Sequence, residues 1–127
     1  MFSHMMVGSN DLDKAKTFYD ALFGVLGAKE GVIDSKGRLV YLHNGAVFLV
    51  TRPIDGNPAT CANGATIGFA MESTQQADKW HDAGAAAGGT SIEDPPGWRQ
   101  NDFGRLYLAY LRDPDGNKLC AMHREAS

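Results

Sequence analysis

The chain has 127 residues, a hydrophobic fraction of 43% and a charged fraction of 21%, which suits one folded domain (residues 1–127) and excludes a disordered chain. Its formal net charge is −3 and its 12 Lys and Arg residues are scattered singly, so no nucleic-acid partner is expected. No apolar run reaches the ~18 residues that span a membrane, and the N-terminus MFSHMMVGSND lacks a signal-peptide pattern. The two cysteines, Cys61 and Cys120, fall outside any C-x-x-C spacing, which points to reduced thiols in a cytoplasmic protein.

In chain order, Ser3 to Val7 alternates with period two and reads as a short strand. Ser9, Asn10 or Asp11 then offers an N-cap for a helix in which Leu12, Ala15, Tyr19, Leu22 and Leu26 recur at helical spacing up to Gly27. Gly31-Val32-Ile33, Arg38 to His43 and Ala46 to Thr51 read as strands. The last two are joined by Asn44-Gly45, whose residues tolerate the positive φ values of a type I′ hairpin turn. The Pro- and Gly-rich stretch Arg52 to Gly64 reads as irregular, with the linker at about residues 56–64.

An offset of 62 positions, from His4 to Thr66, repeats the opening strand and helix: Ala15 falls on Ala77, Phe18 on Trp80 and Gly27 on Gly89. Thr66 to Met71 is then a second alternating strand, and a helix from about Thr74 to Ala87 stops at Gly88-Gly89. Beyond an insertion at Asp94-Pro95-Pro96-Gly97 the offset becomes 71, so that Ala46 to Val50 meets Asn117 to Ala121. The expected fold is α+β: two βαβββ modules, at about residues 1–55 and 65–127, forming curved mixed sheets around a cleft with helices outside. One such module leaves a sheet face uncovered. Pairing within one chain and pairing between two both satisfy that requirement.

The duplicated unit, the opening SHMMVGSNDLDKAKTFYDAL and the closing YLRDPDGNKL together resemble the glyoxalase/bleomycin-resistance/dioxygenase proteins, the vicinal-oxygen-chelate superfamily, over essentially the whole chain. The segments PGWR (96–99) and GRLY (104–107) are similar to a bacterial glyoxalase-like branch. The resemblance implies a homodimer and a pocket between modules. In metal-dependent members it implies a divalent ion that holds two adjacent substrate oxygens. The four ligand positions carry over to His4, Leu49, Thr66 and Cys120, of which only His4 is a customary ligand. No metal cofactor is therefore expected.

Two candidates carry chemistry in this reading: His4 as a pocket acid or base, and Cys120 as a nucleophile facing it. Their bland counterparts are a hydrogen-bonded cleft histidine and a small buried filler. Arg99 is a candidate anion clamp with Trp98 as an aromatic wall, against a passive loop arginine paired with Asp94 or Asp102. Tyr107 and Tyr110, at odd separation on one strand, face opposite sides. Tyr107 is assigned to the pocket with Thr66 and Leu49. The expected function is binding of a small oxygenated metabolite without a working metal site. The alternative is an active metal-dependent lyase or dioxygenase.

Overall fold

The computed structural model describes residues 1–102 and 104–125. The elements are β1 (Met5–Gly8), α1 (Leu12–Gly24), β2 (Val32–Ile33), β3 (Leu39–His43), β4 (Ala46–Thr51), β5 (Ile67–Ala70), α2 (Thr74–Ala86), β6 (Thr90–Ser91), β7 (Gly97–Asn101), β8 (Gly104–Arg112) and β9 (Lys118–Arg124). Sheet A has the order β1-β4-β3-β2. Sheet B has the order β5-β9-β8-β6, and β7 pairs with the other half of β8. None of the helices among the described residues is long and apolar enough to cross a membrane.

Local chemistry accounts for the ends of the elements. Asp11 caps α1, its carboxylate accepting from the N–H groups of Asp13 and Lys14, and Ser73 caps α2 by accepting from Gln76 N–H. Asn44 (φ 49°) and Gly45 (φ 80°) both take the left-handed backbone that the β3–β4 hairpin demands.

The internal repeat is geometric as well as textual. Parallel pairing of β1 with β4 sets Met5 beside Phe48 and Met6 beside Leu49. Parallel pairing of β5 with β9 sets Ile67 beside Leu119 and Gly68 beside Cys120, at the same offsets of 62 and 71. One part of the second module departs from the expectation. The segment holding Trp98 and Arg99 is strand β7, hydrogen-bonded to β8, and not a loop. Strand β8 runs for nine residues, with β9 along one edge and β6 and β7 sharing the other.

Helices α1 and α2 pack on each other and on one face of both sheets. Phe18, Tyr19 and Leu22 from α1, Trp80 from α2, Leu39 and Val50 from sheet A, and Leu111 and Leu119 from sheet B form a single fully buried core. Close approach needs glycine: a Cβ at Gly84 would lie 2.4 Å from Leu111 and 2.9 Å from Leu22.

The module junction is sealed by the DPDGN segment. Buried Asp113 accepts hydrogen bonds from the N–H groups of Asp115 and Asn117, from Asn117 Nδ2 and from Tyr19 O–H (2.6 Å). Asn117 Nδ2 also donates to Gly8 O, and Asn10 N–H to Asp115 Oδ1. The segment that carries the resemblance most strongly is thus a structural clasp between the modules.

Candidate functional site

Alternation along each strand decides which side chains enter the shared core and which stay outside it. In sheet B, Tyr107, Ala109, Leu111, Leu119 and Ala121 face the helices. Leu106, Leu108, Tyr110, Cys120 and Met122 form a separate cluster on the opposite, outer face. Register adds Arg99 to that outer face, since Arg99 pairs with Leu106. In sheet A the outer face carries Met6, Val40, Leu42, Val47 and Leu49, all apolar. Both outer faces lie outside the common core.

The positions assigned from sequence separate accordingly. Cys120 is buried on the outer face of sheet B, and Leu49 is buried on that of sheet A. His4 is exposed just before β1, with Nδ1 2.8 Å from Ser3 Oγ. Thr66 is exposed just before β5, on the rim of a cavity of about 290 Å³ shared with Met6, Cys61 and Lys118. Arg99 shares its face with Cys120. Trp98 and Tyr107 do not: they pair with each other across β7 and β8 and point to the helix side, with ring centroids 5.4 Å apart.

Tyr107, grouped in the sequence with Thr66 and Leu49, thus lies on the helix side, and Tyr110 is the tyrosine that shares the outer face with Cys120. Tyr107 O–H donates to Asp78 on α2 (2.5 Å), a bond that, with burial, pushes its pKa up to about 12. Arg105 lies over the Trp98 ring, 4.5 Å from its centroid, so Trp98 serves as a platform for Arg105 and not as a wall beside Arg99. Tyr110 pairs with Cys120, a register implied by their equal distance from Asp115 in the turn.

On the outer face of sheet B, register places the polar side chains Arg99, Tyr110, Arg112, Lys118 and Arg124. Arg99 is half-buried. Its Nη1 donates to Gly97 O (2.8 Å) and Leu108 O (2.7 Å), and its Nη2 to Asp94 O (3.1 Å). These acceptors are main-chain carbonyls, so they fix the guanidinium without neutralising it. The alternative pairing of Arg99 with an aspartate carboxylate is not seen among the described residues: Asp94 contributes its carbonyl.

Lys118 pairs with Glu93, and its Nζ lies 5.0 Å from the centre of the Tyr110 ring. Glu93 adopts φ 58°, a backbone that a non-glycine residue takes at a cost of about 1 kcal/mol. Burial pushes the Cys120 thiol above its ordinary pKa, outweighing a hydrogen bond from Tyr110 and the charges of Lys118 and Arg99. Cys120 therefore sits as a neutral thiol. Gly68, its neighbour on β5, leaves open space where a side chain would project.

Leu49 and Cys120 on these outer faces, with His4 and Thr66, are the positions at which the resemblance implies metal ligands. The donor set does not fit one: Leu49 has no lone pair, Cys120 is held protonated, and Thr66 is a neutral hydroxyl. Among the described residues no three His, Cys, Asp or Glu side chains are grouped as a metal ion would require.

A sequence model of the Glyoxalase/Bleomycin resistance protein/Dioxygenase superfamily matches residues 1–121. The chain belongs to this superfamily. Among solved structures, a glyoxalase/bleomycin resistance protein from Albidiferax ferrireducens T118 is 56% identical, with 98% of this chain and 99% of that chain covered and a TM-score of 0.94. A glyoxalase/bleomycin resistance protein/dioxygenase family enzyme from Burkholderia phytofirmans PsJN is 18% identical over 95% of this chain and 96% of that one, at a TM-score of 0.73. A lactoylglutathione lyase from Agrobacterium tumefaciens is 20% identical over 97% and 92%, at 0.66. The last two similarities establish the superfamily fold alone. No curated protein matches the chain.

Proposed function

We propose that the protein is a metal-independent binder of a small oxygenated metabolite, of the bleomycin-resistance kind, with the ligand on the outer face of sheet B. The observation that carries this reading is the donor set at the four equivalent positions. His4, Leu49, Thr66 and Cys120 are one imidazole, one hydrocarbon, one alcohol and one buried neutral thiol, too few donors for a catalytic ion, which uses three protein ligands and an open position.

A pocket on this face would be closed by pairing between two chains. The helix-facing sides of both sheets are spent on one shared core, and the outer face of sheet A leaves Met6 41% and Leu42 66% exposed. A second copy that laid this apolar face opposite sheet B would close a pocket and bury that surface. Two thiols outside any disulfide suit the cytoplasm.

Elemental analysis of the purified protein, before and after His4→Ala, tests the metal-independent reading. Sub-stoichiometric nickel, zinc, iron and manganese in both proteins is the expected result. One equivalent of metal that is lost in His4→Ala would overturn it. Light scattering tests the pairing: the expected mass is that of a dimer, reduced to a monomer by Leu42→Glu.

A further inference from the structure

Resting on that reading of the pocket, we infer that its ligand is a carboxylate with an apolar body, held by the free edge of Arg99. Three of the five guanidinium donors of Arg99 are used on carbonyl oxygens. The Nε–H and the second Nη2–H have no partner among the described residues. Two N–H groups of one guanidinium match the two oxygens of a carboxylate.

Charge selects an anion. By register Arg99, Arg112, Lys118 and Arg124 all stand on this face, and Glu93 pairs with Lys118. The Arg99 guanidinium is fixed in place and half-buried, where a bound carboxylate would neutralise it.

The surroundings select the rest of the molecule. Leu106, Leu108 and Met122 flank Arg99 and Tyr110 on sheet B. The wall supplied by a second copy is the uncharged face of Met6, Val40, Leu42 and Leu49. Gly68 leaves space beside Cys120 for the body of the ligand. Tyr110 stands opposite Cys120 on the neighbouring strand, within reach of an oxygen substituent on that body.

Titration calorimetry of the full chain tests this with straight-chain monocarboxylates from propanoate to octanoate and, in parallel, with their primary amides. At least one carboxylate is expected to bind about tenfold or more tightly than its amide, the advantage of a charge-assisted hydrogen-bonded pair. Arg99→Gln is expected to abolish that preference, and Arg99→Lys to retain only part of it, since a lysine keeps the charge and loses the two-donor edge. Arg99 also anchors β7, so a second readout uses the unaltered protein: the Arg99 Nε–H resonance should move with the carboxylate and stay in place with the amide. Equal affinity for acid and amide, or a preference that survives Arg99→Gln, overturns the inference and leaves the pocket reading intact. Failure of both series to bind overturns the two together.

Discussion

Tyr19 and Asp113 form the most demanding residue pair in the molecule. The tyrosine is fully buried and its hydroxyl is pushed well above the usual range, first by burial and then by the Asp113 carboxylate that accepts its proton. Tyr19→Phe keeps the ring in the core and removes a hydrogen bond to a charged group, so a loss of about 1.5–3 kcal/mol is expected in urea unfolding. Cys120 yields a second prediction. Because burial keeps it a thiol, alkylation by iodoacetamide at pH 8 should modify Cys61 first, and Cys120 should react appreciably only on unfolding. Rapid modification of Cys120 in the folded protein would contradict its placement. At this scale the sequence was only partly informative. Tyr107 and Tyr110 were separable as facing opposite sides, but which one met Cys120 depended on the register across Asp113–Asn117.

At the scale of elements, legibility followed the strength of local chemistry. Strand β4 and the Asn44-Gly45 turn fall where the sequence places them, because a two-residue turn with positive φ admits few alternatives. Strand β1 is displaced by one residue at its C-terminal end and two at its start, since its boundaries depend on pairing with β4 and not on its own residues. Strand β7 escaped altogether: Gly97-Trp98-Arg99-Gln100-Asn101 is polar, and it becomes a strand only because β8 offers a free edge.

Contact between the helices was equally hidden, since helical spacing identifies a buried face without naming what covers it. Gly89 tests that packing. A Cβ there would stand 2.5 Å from Phe18, 2.8 Å from Gly84 O and 3.1 Å from Arg112 O, two of them main-chain atoms with little freedom to move. Gly89→Ala should cost about 1–3 kcal/mol, read as a lower denaturation midpoint with an unchanged slope.

The whole molecule titrates through carboxylates held in the folded state. For Asp20, burial alone would raise the pKa, but hydrogen bonds from Lys16, Gly31 N–H and Tyr41 carry it below the ordinary value. Asp34 is lowered by hydrogen bonds from the Arg38 main chain and side chain against a smaller effect of burial. A depressed folded pKa contributes stability that is present above the unfolded pKa of about 3.9 and is lost as pH falls through the folded value. Melting temperature should therefore be flat near neutrality and fall below about pH 4. Asp20→Asn should make that acid limb shallower, while an unchanged limb would exclude Asp20 as a contributor.

The clasp at Asp113 also has a bearing on how the chain is made. Its partners Gly8, Asn10 and Tyr19 leave the ribosome about a hundred residues before it does. The first module emerges with its helix face uncovered, and the residues that lock it arrive only about a hundred residues later. Completion of the fold thus carries a loop-closure cost and is expected to be slower than for a chain built from local contacts. A nascent chain stalled before Asp113 should remain protease-sensitive throughout, first module included.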